Sequence, residues 1–203
     1  MSRHIGALIL AAALTAAWSY GGDARVVHPV LNASGGGGGE DGGRRLFGPL
    51  GCGECAALCQ QVHYKTLCTT MTTLPGVNTP VQLLDTALRI TAVKAAMAEM
   101  KLDQAIRASA GQGTAMTSSL DSCKESYASL VDSLQSTRKT LNSGGSSADI
   151  MSELSAAGTF STDCEDIFDE RPELQSPIPG AQRHVSRLVS NCLDLAATIE
   201  KQP

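Results

Sequence analysis

Beyond residue 80, apolar side chains recur at spacings of three and four, the pattern of one buried helix face. The first such stretch predicts a helix over residues 81–110, with Val81, Leu84, Leu88, Ala95, Ala98, Leu102 and Ala105 on one stripe. It begins just after Pro80 and ends near Gly111, where helices commonly start and stop. The second, over 114–142, places Leu120, Cys123, Tyr127, Leu130, Leu134, Thr137 and Leu141 along a seam of the kind found in helix bundles. Gly144-Gly145 terminates it. The third, over 147–170, carries Ile150, Leu154, Ala157, Cys164 and Phe168. The fourth, over 180–200, carries Val185, Leu188, Cys192, Leu195 and Ile199. Short Gly/Ser or Pro loops separate the four, so the expected fold is all-α, with antiparallel neighbours in a four-helix up-and-down bundle. A shorter helical piece over 50–72 precedes them, set off by Pro75-Gly76.

The N-terminal pattern is different. Arg3 and His4 precede an apolar run from Ile5 to Trp18. Such a run is short for a membrane span, which needs about 20 residues. A basic start, a short apolar core and small residues behind it predict a secretory signal peptide over 1–24, cleaved after Ala24 or Ala17. A membrane anchor is the alternative. With the signal removed, no membrane association is expected. Residues 25–45 contain five consecutive glycines, Gly35 to Gly39, and read as a disordered linker ahead of a domain over 46–203. Asn32-Ala33-Ser34 is an acceptor sequon, so Asn32 is a candidate for glycosylation in a secreted chain.

Composition narrows the partners. The chain has 203 residues and a net charge of −4, which is a poor electrostatic match for nucleic acid. Aromatic residues are only 3%, too few for base-stacking platforms. No Gly-x-Ser-x-Gly elbow or phosphate loop occurs, and His63 and His184 have no catalytic partner in sequence. The sequence thus offers no catalytic motif and no cofactor-binding loop.

Seven cysteines, at 52, 55, 59, 68, 123, 164 and 192, are expected to pair in a secreted chain, with at least one left over. Cys59 and Cys68 are close enough in sequence to staple a small hairpin. A bond between Cys123 and Cys164 would join the second and third bundle helices and contribute about 4 kcal/mol by chain entropy. Cys192 falls on the inward seam, where a free thiol behaves as a small hydrophobe; at the surface it could instead link two chains. Cys52 and Cys55 form Cys-Gly-Glu-Cys, readable as a third local disulfide, as loose or mixed pairing, or as a redox pair. Cys55, Cys59 and His63 are spaced by four, so on one helix they could share a metal. Oxidation along the secretory route favours disulfides without metal.

Four ordered blocks then carry a resemblance. They are Leu58-Cys59 to Cys68, Leu120-Asp-Ser-Cys123 to Leu134, Met151-Ser-Glu-Leu154 to Phe168, and Leu188-Val-Ser-Asn-Cys192-Leu193. Together they resemble the plant invertase/pectin methylesterase inhibitors over about residues 55–200, nearer the pectin methylesterase branch. The resemblance implies a bundle with an N-terminal helical hairpin extension, bridges Cys59–Cys68 and Cys123–Cys164, and a free Cys192. Cys52-Gly-Glu-Cys55 departs from the family pattern. The implied function is a secreted inhibitor that caps a pectin methylesterase's cleft in a 1:1 complex, with acid invertase as the alternative target. The implied contact face is that of the second and third bundle helices, with Glu125 and Asp132 on the second and Asp166 on the third. Other members add an acid on that stripe where this chain has Ser129. The implied location is the extracellular space, apoplast or cell wall, with the vacuole open. A Cys-rich metal or redox module remains a third reading. Asn191 reads as a satisfied polar residue near the helix packing, and Tyr127 as core.

Overall fold

The computed structural model describes residues 52–109 and 113–200. The expected signal peptide, linker and Asn32 lie outside the described residues, as do positions 46–51 of the expected domain. Six helices follow in order: α1 (Gly53–Cys59), α2 (Lys65–Thr72), α3 (Pro80–Ala108), α4 (Thr114–Asn142), α5 (Ser147–Asp169) and α6 (Pro179–Glu200). There is no strand among the described residues. The four long helices close into a ring in which α3 packs on α4, α4 on α5, α5 on α6 and α6 on α3, while the backbones of diagonal pairs stay apart. This is the up-and-down bundle, with α1 and α2 as a hairpin extension lying on α3 and α6.

Local chemistry sets the helix ends. Thr79 caps α3 by accepting the Gln82 N–H at 3.2 Å, and Gln82 Oε1 reaches back to the Asn78 N–H at 2.9 Å. Pro80 fills the first helical position, where its missing N–H leaves nothing unpaired. Ser146 caps α5 through the Asp149 N–H at 3.1 Å. Between α4 and α5 the chain reverses through Gly144, whose φ of 72° suits a residue without a Cβ. There the Gly145 N–H reaches the Thr140 carbonyl at 2.8 Å and closes the α4 C-terminus.

The core follows the seams. Leu84, Leu88, Ala95, Ala98 and Leu102 of α3 meet Leu120, Tyr127, Leu130 and Leu134 of α4, with Leu154, Ala157, Val185, Cys192 and Leu195 from α5 and α6. Val81 departs from the expected stripe: it is 45% exposed, because Leu83 and Leu84 turn the first turn of α3 inward instead. The helical piece over 50–72 is two helices broken at residues 60–64, the helical hairpin that the resemblance implies.

Asn191 holds the extension in place. Its Oδ1 accepts the Tyr64 N–H at 3.0 Å and its Nδ2 donates to the Tyr64 carbonyl at 2.9 Å, so a buried side chain satisfies both backbone groups of one residue. Asp194 Oδ2 accepts the neighbouring His63 N–H at 2.8 Å, and the Arg187 guanidinium lies 5.5 Å from the Tyr64 ring centroid. Replacing Asn191 by Ala would leave the Tyr64 groups without their partner and is expected to cost about 1–3 kcal/mol. Chemical denaturation checks this, and a loss under 0.5 kcal/mol would contradict it.

An ion pair ties α3 to α4. Arg138 donates to Asp85 through Nε at 2.9 Å and Nη2 at 3.1 Å, and Asn142 adds a third donor at 3.0 Å. Burial opposes ionisation of Asp85, but the hydrogen bonds and guanidinium charges outweigh it and hold the carboxyl below its ordinary pKa of 3.8. A lowered folded pKa stabilises above the unfolded value and is lost as pH falls through the folded one. The pair is partly exposed, so the expected contribution at neutral pH is about 1 kcal/mol. Asp85→Asn should lose that amount at pH 7, and its deficit against the parent should shrink below pH ~3.8. Denaturation at both pH values measures it; a deficit independent of pH would contradict the assignment.

Candidate functional site

The outer flank of α4 and α5 is built on a rigid joint. Cys123 and Cys164 are bonded and link the two helices through the core. Farther along α4, Ser133 Oγ donates to the Glu153 carbonyl at 2.8 Å. Glu153 Oε1 accepts from Ser136 Oγ at 2.7 Å and from Thr140 Oγ1 at 3.1 Å. A covalent bond at one level and a three-hydroxyl clasp at another fix both separation and register. Sequence reading missed Glu153; its only signal was an acid on a helix opposite a run of hydroxyl residues, Ser133, Ser136 and Thr140.

Outward from this joint, Glu125 and Asp132 are exposed and Ser129 between them is half-buried. Their spacing of four and three puts all three on one side of α4. Asp166 is exposed on α5. None of these acids is in an ion pair among the described residues. Tyr127 points the other way, fully buried in the seam. Burial, with the Glu165 charge adding to it, pushes its hydroxyl up to about 12, and that hydroxyl has no partner among the described groups.

Charge is segregated around the bundle. The α5 segment contains Asp149, Glu153, Asp163, Glu165, Asp166 and Asp169, and no Lys or Arg. Lys124 of α4 turns toward α3, where its Nζ lies 2.7 Å from Asp103 Oδ1. That hydrogen bond raises the Lys124 pKa and lowers the Asp103 one. Arg138 is drawn to Asp85 on the same side. Lys124 and Arg138 are thus turned away from α5, while Lys139, exposed in the last turn of α4 and seven residues after Asp132, stays on the side of Glu125 and Asp132. The acidity of α5 extends beyond Asp166, although Glu165 and Asp169 line a cavity toward α6 that also holds Arg183; the composition of 147–169 already carried that signal.

The cysteines of the extension are bonded as Cys52–Cys55 and Cys59–Cys68. Cys52 caps α1, its sulfur accepting the Cys55 N–H at 3.1 Å. The metal reading of Cys55, Cys59 and His63 does not fit this arrangement. Both sulfurs are in disulfides, and α1 ends at Cys59, so His63 lies beyond the helix. Cys192 is a buried free thiol next to Thr91 Oγ1 at 3.5 Å. Burial outweighs that contact and pushes the thiol up to about 12. A surface Cys192 linking two chains is therefore corrected: the sulfur faces the bundle core. No helix among the described residues is long and apolar enough to cross a membrane.

Two solved structures share the fold. A mutant form of a pectin methylesterase inhibitor from Arabidopsis superimposes with a TM-score of 0.61 at 20% identity, covering 74% of this chain and 97% of that one. A pectin methylesterase inhibitor from Arabidopsis thaliana gives 0.55 at 20% identity, covering 73% and 97%. At that identity the likeness shows the fold alone. No curated protein sequence matches the chain. The family description "Plant invertase/pectin methylesterase inhibitor" matches residues 54–195, which include the extension and all four bundle helices but the end of α6. With a match over well more than half its length, the chain belongs to the plant invertase/pectin methylesterase inhibitor family.

Proposed function

We propose that the protein is a secreted inhibitor of a pectin methylesterase, seating the outer flank of α4 and α5 in that enzyme's cleft, one inhibitor per enzyme. The observation that carries this reading is the row of exposed, unpaired acids Glu125, Asp132 and Asp166 on a flank fastened by Cys123–Cys164, with Lys124 and Arg138 drawn away toward α3. A pre-set surface loses little conformational freedom on binding, which leaves more of the contact energy as affinity. Ser129, in place of a further acid, gives the middle of the row a hydroxyl and so shapes which esterase is accepted. Carboxylates at such a rim steer encounter with a polar or basic cleft and make association fall with salt. The protein itself performs no reaction on this reading and takes no cofactor. The N-terminal 24 residues direct it to the secretory route and the cell wall; an invertase target could be the cell-wall or the vacuolar enzyme, the latter placing the protein in the vacuole.

The family covers both targets, so purified protein should be assayed against pectin methylesterases and acid invertases together. Inhibition of invertase alone would replace the leading reading with its alternative. Glu125→Gln, Asp132→Asn and Asp166→Asn combined should weaken inhibition of a susceptible esterase by about tenfold or more and flatten its salt dependence. Exposed helix positions of this kind leave stability nearly unchanged. Unchanged inhibition of every susceptible esterase by a folded triple variant would dispose of the interface assignment.

A further inference from the structure

The groove between α3 and α6 lies across the bundle from the acidic flank and has the opposite chemistry. It is an open cavity of about 280 Å³ lined chiefly by Lys94, Met97, Ala98, Lys101, His184 and Val185. No carboxylate is among its lining residues. Lys94 and Lys101 are seven apart, so they stand on one side of α3 about 10 Å apart along its axis. Neither is in an ion pair among the described residues. Met97 is 47% exposed; Val93 and Met100, spaced with it by four and three, are 53% and 62% exposed beside the groove, Val93 lining the neighbouring cavity between α3 and α4. These three are most of the large apolar side chains left exposed among the described residues, and they share one stripe of one helix. Cationic tips spaced along an apolar floor suit a ligand that presents separated negative charges and apolar groups along one extended edge.

We infer that this groove binds partially methyl-esterified pectin itself. That polymer carries free carboxylates for Lys94 and Lys101, and methyl esters and sugar C–H faces for Met97, Ala98 and Val185. The groove's charge and shape stand on their own; the choice of polymer rests on the pectin methylesterase reading above. Because the groove and the acidic flank are on opposite sides of the ring, polymer and enzyme can be held at once. The inhibitor is then retained in the matrix where its target works, and its local concentration rises without any new contact to the enzyme.

The test is affinity electrophoresis of the full chain through gels containing pectin of intermediate esterification, fully de-esterified polygalacturonate, fully esterified pectin or dextran sulfate. Intermediate pectin should retard the protein most. Lys94→Gln/Lys101→Gln should weaken that binding by about tenfold. Met97→Gln should weaken binding to intermediate pectin more than to polygalacturonate. Inhibition of a pectin methylesterase, assayed on short methylated oligogalacturonides, should be the same for all three proteins. No retardation by pectin, equal retardation by dextran sulfate, or a double variant that binds like the parent would each overturn the inference. Pectin binding that persists in a protein that inhibits no esterase would remove the esterase reading and leave the groove assigned.

Discussion

Two helices of a bundle can slide and splay unless something other than apolar packing sets their register, because leucine against leucine is tolerant of small shifts. Here α4 and α5 are set by a bond through the core, Cys123–Cys164, and by the Glu153 carboxylate accepting Ser136 and Thr140 across the outer surface. The remainder of the site depends on that joint. Glu125, Ser129 and Asp132 keep a fixed offset from Asp166 only while the two helices keep theirs. The extension is attached by the same logic on the other side, where the Asn191 amide serves both backbone groups of Tyr64. Polar side chains specify position, and the Leu, Ala and Val seams supply most of the burial.

Charge is arranged as deliberately as packing. The α5 segment holds six carboxylates without a Lys or Arg, and the α4 cations Lys124 and Arg138 are drawn to Asp103 and Asp85 on α3. These surface pairs add little to stability. Their larger effect is to hold Lys124 and Arg138 on the α3 side of α4, away from the acids of α5. A net charge of −4 conceals that division. The α4–α5 flank and the α3–α6 groove differ in chemistry, which is the physical basis for proposing a different partner for each.

The bundle was legible because its signal is periodic: the four long helices were readable to within one or two residues from the apolar spacing, the Pro80 start and the Gly144-Gly145 stop. Val81 misled because periodicity assigns a face but does not say where a helix's first turn meets its neighbour. The break at residues 60–64 has no Gly or Pro to mark it and was expected only through the Cys59–Cys68 spacing and the family's helical hairpin; the Tyr64–Asn191 hydrogen bonds, 127 residues apart in sequence, hold it. Tertiary partners of this kind have no local signature. The same holds for the Glu153 clasp and for the turning of Lys124 and Arg138, which follow from acids on a different helix. Glu125, Asp132 and Asp166 could be singled out only through the family's pattern, since an exposed acid on a helix is ordinarily just a solvated one. The Cys192 thiol shows the converse: its place on the seam was readable from spacing, and its burial excludes the surface chemistry that a lone cysteine invites.

The central claim is that the acidic flank of α4 and α5 is the surface covered by the target enzyme. Carboxyl footprinting tests it most directly: carbodiimide labelling of the protein alone and saturated with a pectin methylesterase, read residue by residue by mass spectrometry. The account predicts that Glu125, Asp132 and Asp166 lose labelling in the complex, while Glu99 and Glu200, on the other helices, label as before. Undiminished labelling of the three flank acids in a saturated complex, with protection elsewhere on the bundle, would contradict it.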